Sequence, residues 1–539
     1  MANDPSGNVY ENVVGRPLGP ESGALPPPRV SASVVLWRRV EGGGGPDDVE
    51  VYWVKRAEKL AFMGGWHAFP GGGMSRSDAA LPVSGEPQLG SDAPPAAGLP
   101  ESLRDLDEPG PDLLPGVAAC ALRELFEETG ILLSTPDIDP EDLPELRSEL
   151  LEGGLTFAEV LRTLDVRLDV SPLAYAGRWV TPPFAPVRFD NRFFLLEWPP
   201  DTAAEPDIHE GELEHGSWVR PGEAWEAWRR GDVLAAPPIL HILEVLSQDG
   251  PTRGLDRLRD PAETNLGPLR RVEMRPGVVL FPLLTYTLPP AATTNAYLLG
   301  IHDCVLVDPG ASSDGELDRL EQALAAARDR LGRRVTAIWL THHHPDHVGG
   351  VERLRASLGV PVLAHPLTAE RLAGRGIKID GELQDGQRVV LVGDGSGYPV
   401  LVIHTPGHAR GHLCFMEEEQ RSLLCGDMVS GVSMIVVDPP EGDMDEYLGS
   451  LAKLAALRPE TLFPGHGPVI KNADAKLREY LDHRLWREER ILEAWNAGTR
   501  DPAAMLPTVY DDVPSQAWPL AQRQILAHLE RLRRLGRIG

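Results

Sequence analysis

The chain has 539 residues, 42% of them apolar and 24% charged, with a formal net charge of −28. This is ordinary globular composition, which excludes disordered and fibrous classes, and the length exceeds one hydrophobic core, so roughly two to four domains are expected. The acidic balance argues against a whole-protein nucleic-acid clamp and leaves room only for a local basic patch.

Residues 1–27 are rich in Gly, Pro and Ser and read as a leader. The opening "MANDPSGNVYENVVG" lacks the basic and apolar regions of a signal peptide. No run approaches the roughly 18 apolar residues that a membrane span needs. Cys120, Cys304, Cys414 and Cys425 form no CxxC pair, so free buried thiols and a cytoplasmic, soluble protein are expected. "VSASVVLWRR" and "VEVYWVKRA" read as strands around the turn "EGGGGPDD". A glycine-rich loop "AFPGGGMSRSD", Ala68–Asp78, follows, and residues 74–115 then read as an insertion loop poor in periodicity.

The next element, "GVAACALRELFEETGILL", is helical, and it places Glu124, Glu127 and Glu128 on one face. Carboxylates this close repel unless a cation sits among them. As hard oxygen ligands they suit Mg²⁺ or Mn²⁺, which bind diphosphates and position a water. Glu127 is the candidate catalytic residue. Arg123 can pair with a glutamate, and Gly130 ends the helix. "RELFEETGI" satisfies the second half of the Nudix box, and with "FPGGG" displaced upstream the unit resembles a split-box Nudix hydrolase. "RWVTPPFAPVRFDNRFFLLEWP" fits the same branch, which includes peroxisomal coenzyme A diphosphatases. That resemblance implies a Nudix α-β-α sandwich over residues 28–248 and a small-molecule diphosphate or coenzyme A-type substrate. Two positions depart from the pattern. Asp78 stands where the family has a glutamate, and Ala61 stands where the coenzyme A signature has an arginine.

Residues 249–272, with few apolar anchors, read as a linker. Strands and helices then alternate, an α/β pattern with ligand-bearing loops at strand ends. "WLTHHHPDHVGG" sets His342, His344, Asp346 and His347 directly after an apolar strand. Later strand ends add His408, Asp427 and His466. Three histidines (His342, His344, His408) with a bridging Asp427 make one tetrahedral zinc site, and Asp346, His347, His466 and the shared Asp427 make a second. Asp346 is the candidate for orienting the attacking water, His412 reads as a hydrogen-bonding partner, and His343 is not expected to be a ligand. Taken together, "THHHPDH…TPGHARGH…CGD…PGHG" resembles the metallo-β-lactamase superfamily, which implies an αββα sandwich, here residues 273–470, with two Zn²⁺ ions.

From residue 471 the pattern is helical. "PGHGPVIKNADAKLREYLDHRLWREERILEAW" and "ILAHLERLRRLGRI" resemble the endoribonuclease branch typified by β-lactamase-like protein 2, which implies a small winged-helix-like domain over 471–539. Arg523, Arg531, Arg533, Arg534 and Arg537 beside the single acid Glu530 suggest a basic helix for single-stranded RNA. The same charges can serve only the helix macrodipole. The expectation is therefore a multidomain α/β protein and a bifunctional metal-dependent hydrolase. It joins a Nudix diphosphatase to a dinuclear zinc hydrolase of endoribonuclease type. The alternative is a glyoxalase-II-like thioesterase with a nucleotide-sensing, catalytically silent Nudix module.

Overall fold

The computed structural model describes residues 27–539 except 41, 43, 44, 46, 47, 61, 62, 90–113, 183, 184, 186, 199–204, 210, 312, 394 and 396. The expected leader (all but residue 27), most of the expected insertion, and Ala61 lie outside the described residues. The chain divides into two compact units, one formed by Pro26–Pro182 with Val187–Pro276, the other containing Gly277–Gly539.

The first unit is built on strand β1 (Arg29–Arg39). It pairs antiparallel with β2 (Val49–Arg56), and β3 (His67–Ala68) and β4 (Gly71–Gly73) attach to β2 and β1. Helix α1 (Leu114–Thr129) precedes β5 (Ala174–Val180), β6 (Phe189–Glu197), β7 (Leu213–Val219) and the helical stretch α2 over Pro237–Arg253, broken by a kink at Gly250. The sheet order is β7-β2-β1-β6-β5, with β1 and β6 parallel. A strand buried on both faces reads as a continuous apolar run. Ala32, Val34 and Leu36 of β1 pack with Leu122, Leu125 and Phe126 of α1, while Val35 and Trp37 pack with Ile239, Ile242 and Leu246 of α2. This is the α-β-α sandwich expected of a Nudix domain.

The stretch read as a linker, 249–272, is folded instead. Leu255–Arg259 is helical, and Leu258, Leu266 and Leu269 are buried. Arginines do the rest of the anchoring: Arg259 Nε donates to the Tyr175 carbonyl at 3.1 Å, and Arg270 Nη1 to Thr264 Oγ1 at 2.7 Å. Sparse apolar residues suffice when each is buried and the intervening guanidiniums cap the backbone. The described part of the insertion also carries structure, since Val83–Ser84 pairs in parallel with Arg167–Asp169.

In the second unit one sheet runs β8 (Val278–Leu284), β9 (Thr293–Leu299), β10 (Asp303–Val307), β11 (Arg334–Trp339), β12 (Val362–Ala364) and β13 (Gly381–Glu382). Helices α3 (Asp314–Leu331) and α4 (Val351–Leu358) pack on it. The other sheet runs β14 (Arg388–Leu391), β15 (Tyr398–His404), β16 (Leu413–Glu417), β17 (Ser422–Gly426) and β18 (Thr461–Pro464). It is covered by α5 (Met444–Ala456) and α6 (Ala473–Asn496) through Tyr447, Leu451, Leu477 and Tyr480. The two sheets meet through Trp339 and Phe415, with ring centroids 5.1 Å apart, and through Tyr297 and Phe463, at 5.9 Å. The result is an αββα sandwich. Beyond it, the end of α6 with α7 (Pro502–Val509) and α8 (Trp518–Arg534) encloses a separate small core of Ile491, Met505, Val509, Ile525 and Leu529.

Candidate functional sites

The histidine-rich loop starts where β11 ends, and the other candidate ligands follow the ends of β15, β17 and β18. Strand ends are where backbone ladders stop and side chains can converge. His342, His344, His408 and Asp427 place one donor atom each within 4.8 Å of one another, and Asp346, His347 and His466 do the same. All seven are buried. His342 Nε2 and His408 Nε2 stand 2.9 and 3.0 Å from His344 Nδ1. Asp427 spans the two groups, its Oδ2 3.6 Å from His408 Nε2 and its Oδ1 3.5 Å from both His347 and His466 Nε2.

The partners on the far side of each ring determine which nitrogen faces inward. His408 Nδ1 lies 2.7 Å from the Val436 carbonyl, His466 Nδ1 3.0 Å from the Thr293 carbonyl, and His347 Nδ1 2.9 Å from Asp308 Oδ2. These partners only accept, so each Nδ1 carries the proton and each Nε2 presents a lone pair inward. Both carboxylate oxygens of Asp346 and Oδ1 of Asp427 are buried without a hydrogen-bond partner. A cluster of inward lone pairs and unpartnered carboxylate oxygens is the donor set that divalent metals take, so the residues fit a dinuclear centre. Burial, then the neighbouring His347, pushes His342 well below the usual imidazole range, and burial, then His408, does the same to His344. Without a metal, burial opposes charge on His347 and His466, but the carboxylates around them draw both toward the cationic form. As cations, His466 and His347 outweigh the burial of Asp427 and hold it well below the usual carboxylate range.

Two supporting residues act from behind. His412 accepts from the Asp427 backbone N–H at 3.1 Å through Nε2, and its Nδ1 meets Thr405 Oγ1 at 2.8 Å. It orients Asp427 and has no free nitrogen for a metal. Asp308, absent from the sequence-derived set, accepts from Thr341 N at 2.8 Å, from Thr341 Oγ1 at 2.5 Å and from His347. Its φ of +50° turns the chain sharply after β10. Two residues on, Gly310 lies so close to the ligand loop that a Cβ there would sit 1.6 Å from the Asp346 carbonyl oxygen. The only sequence signal for Asp308 was "VLVDPG", an acid at a strand end, as in "LLCGD".

The Nudix helix presents a different geometry. Arg123 donates to Asp78 through Nε at 2.8 Å and Nη2 at 3.1 Å, and to Glu127 Oε2 through Nη1 at 2.9 Å, while Glu124 Oε1 lies 2.8 Å from Nη2. Asp78 is buried and also accepts from Ser75 N. The shortened acid of the box thus serves as the brace of Arg123. Glu128 accepts from Gly71 N at 2.9 Å, and a Cβ on Gly72 would stand 2.6 Å from the Glu124 carboxylate, so the glycine loop lies directly against the glutamates. Burial, opposed by Arg123 and reinforced by Glu127, raises Glu124 to about 7. Burial, opposed by the Gly71 N–H and reinforced by Glu124, raises Glu128 to about 8. The guanidiniums of Arg123 and Arg56 leave Glu124 and Glu128 raised, and this excess of buried acid fits a divalent cation. The three glutamates nevertheless do not converge as the histidines do. Among the described residues, clusters of donor atoms within 4.8 Å of one another occur only in the second unit.

The C-terminal arginines are engaged within their own unit. Arg523 pairs with Asp438, Arg531 with Asp445 at 2.9 Å and with Glu488, Arg534 with Asp443 at 2.7 Å, and Arg537 with Glu489 at 3.3 Å. Arg533 sits 5.8 Å from the Trp495 ring.

The family models agree with this anatomy. That of the metallo-β-lactamase superfamily matches residues 290–466, that of the NUDT19 Nudix domain residues 29–246, and that of the beta-lactamase associated winged helix domain residues 502–539. The chain is 30% identical over 254 residues to the beta-lactamase-like protein 2 homolog of Drosophila melanogaster, covering 46% of this chain and 84% of that one. It is 33% identical over 202 residues to the atrochrysone carboxyl ACP thioesterase of Aspergillus chevalieri, covering 37% of this chain and 60% of that one. Among solved structures, the NUDIX hydrolase of Alicyclobacillus acidocaldarius is 30% identical with a TM-score of 0.34, covering 42% of this chain and 93% of that one. The chain belongs to the metallo-β-lactamase superfamily. Within it, a NUDT19-type Nudix domain is joined ahead of a metallo-β-lactamase domain and its associated winged helix.

Proposed function

We propose that the chain is a bifunctional metal-dependent hydrolase, a Nudix diphosphatase joined to a dinuclear zinc hydrolase that cleaves thioesters. The observation that carries the hydrolase reading is the seven-residue cluster, with inward Nε2 lone pairs on His347, His408 and His466 and unpartnered oxygens on Asp346 and Asp427. His342, His344, His408 and Asp427 would hold one metal, and Asp346, His347, His466 and Asp427 the other. When bound, the two ions supply Lewis acidity toward both water and the attacked group. Asp346 orients the attacking water through its unpartnered carboxylate and takes up its proton. His347 and His466, 3.4 Å apart at Nε2, frame that carboxylate. In the Nudix unit Glu124, Glu127 and Glu128 would hold Mg²⁺ or Mn²⁺ against a diphosphate, with Glu127 orienting the water and Arg123 fixing its rotamer.

RNA cleavage was expected from the resemblance of the C-terminal part to the endoribonuclease branch, with the basic tail helix as added support. Arg523, Arg531, Arg534 and Arg537 face carboxylates of their own unit, which offsets part of the charge that a phosphodiester backbone would need and weakens that support. A thioester needs no such grip, and a relative named as an acyl-carrier-protein thioesterase supports this reading. All three box glutamates are present, which favours an active Nudix unit over a silent one. Cys120, Cys304, Cys414 and Cys425 are buried thiols outside any disulfide, in keeping with a reducing cytoplasm. Among the described residues no helix is long and apolar enough to cross a membrane. The test is parallel assay of purified full-length chain with acyl-coenzyme A thioesters, single-stranded RNA and nucleoside diphosphate derivatives. Thioester cleavage lost in His344→Ala and retained in Glu127→Gln is expected. Cleavage of RNA without thioester turnover would overturn the substrate reading.

A further inference from the structure

His408 is held from outside the sandwich. Its Nδ1 donates to the carbonyl of Val436, in the segment 428–443 between β17 and α5, which has neither helix nor strand. Such a segment has no ladder to hold its carbonyls in place. Side chains of the C-terminal helices do so instead. Arg484 of α6 donates through Nη2 to the carbonyl of Ile435, the residue next to Val436, and through Nη1 to Gln524 Oε1 of α8 at 3.1 Å. Arg484 is buried, and its guanidinium lies 5.3 Å from the centroid of the Tyr447 ring. At the near end of the segment Tyr480 Oη accepts from Ser430 N at 3.0 Å and donates to the Ser433 carbonyl at 2.6 Å. At the far end Arg523 holds Asp438 and donates to the Pro439 carbonyl at 2.7 Å.

We infer that the C-terminal helical domain is a positioning device for the metal ligand His408, with Arg484, oriented by Gln524, as its central residue. Holding the Ile435–Val436 backbone in place keeps an acceptor at His408 Nδ1, which keeps the proton there and the Nε2 lone pair facing His344 and Asp427. The planar guanidinium suits the task, because it reaches a main-chain carbonyl and a side-chain amide from one rigid fork; an ammonium group offers no such plane. Arg523, read from sequence as part of a phosphate-binding face, belongs to the same clamp. This inference rests on the reading that His342, His344, His408 and Asp427 hold a metal.

The experiment strips the full-length protein of metal and titrates it with Zn²⁺ against a chromophoric chelator, with circular dichroism and thermal melting alongside. Wild type is expected to take up two equivalents; failure to do so refutes the metal-site reading itself. Arg484→Met is expected to lose up to about 10-fold affinity for one equivalent while the other changes little, the low end of the range for a direct partner of a ligating histidine, because Arg484 acts through the backbone next to that partner. Arg484→Lys is expected to recover only part of it. The control is Arg487→Met, which removes the Arg487–Asp512 pair within the tail without touching segment 428–443. It is expected to lower the melting temperature and leave both affinities unchanged. If Arg484→Met does not fold, Gln524→Leu decides by the same criterion, with a severalfold loss at one equivalent. Wild-type affinity for both equivalents in the deciding variant, or an equal loss in Arg487→Met, would overturn the inference.

Discussion

Asp308→Asn is the sharpest perturbation of the histidine-rich centre, because it changes one atom of a side chain that touches no substrate. The carboxylate accepts three hydrogen bonds, two from Thr341 and one from His347 Nδ1 at 2.9 Å. An asparagine can keep the bond from Thr341 N through its oxygen, which preserves the turn after β10. Its NH₂ then faces His347 Nδ1, where a donor now meets a donor. The imidazole relieves the clash by moving its proton to Nε2, the atom that faces Asp427 and His466. A protonated Nε2 cannot ligate. Loss of an outer partner of this kind weakens metal binding about 10- to 100-fold, or roughly 1.4–2.8 kcal/mol. Zn²⁺ titration of the stripped protein with a competing chelator should therefore show one weakened equivalent, the one held by Asp346, His347 and His466, and one near wild type. Circular dichroism should match wild type. Two unaltered equivalents in folded Asp308→Asn would refute the tautomer argument.

Glu127→Gln is expected to abolish diphosphate hydrolysis while thioester turnover by the same preparation is unchanged; loss of both, or of neither, would show that the sites are not assigned correctly. Asp78→Ala removes the brace of Arg123, whose side chain is only 12% exposed. The remaining contacts to Glu124 and Glu127 soften the loss, so about 1–3 kcal/mol of stability should disappear from urea unfolding of the Nudix unit; wild-type stability would refute the bracing role of Asp78. Burial above all lowers His241 from 6.5 to about 4, with Glu263 and the Arg257 carbonyl opposing and the guanidiniums of Arg257 and Arg270 adding to the effect. A group whose folded pKa is depressed leaves stability intact above its unfolded value and removes it as pH falls toward the folded one. Stability should therefore decline by up to about 3 kcal/mol between about pH 6.5 and about pH 4 on account of this residue. His241→Gln should flatten that part of the profile, and an identical slope in the variant would contradict it.

Much of this protein was legible before folding because its chemistry is written in short segments. "THHHPDH" places several donors within one loop, and "RELFEETG" places three carboxylates on one helical turn, so local geometry alone implies a cation. The alternation of apolar strands with amphipathic helices marked an α/β chain, since burial on a sheet face imposes its period on the sequence, while the two sandwich architectures were implied by the family resemblances that those motifs carry. Distance in sequence hid the rest. Asp308 is one acid at one strand end until the parallel pairing of β10 with β11 brings it against Thr341 and His347. The 249–272 stretch has too few apolar residues to announce a fold, yet Leu258 is fully buried because arginines anchor the backbone around it.

The C-terminal arginines separate the two levels most clearly. Sequence reports charge, and five cations beside one acid read as a surface waiting for phosphate. Coulombic attraction depends on which opposite charge lies within a few ångströms, and that is settled by packing: Asp438, Asp443, Asp445 and Glu488 arrive from distant segments to meet Arg523, Arg531 and Arg534. The residue types and their local spacing therefore determined that metals and hydrolysis belong to this chain. Only the tertiary structure decided which nitrogen of each histidine faces inward, because that depends on acceptors such as the Val436 and Thr293 carbonyls, which no local pattern marks.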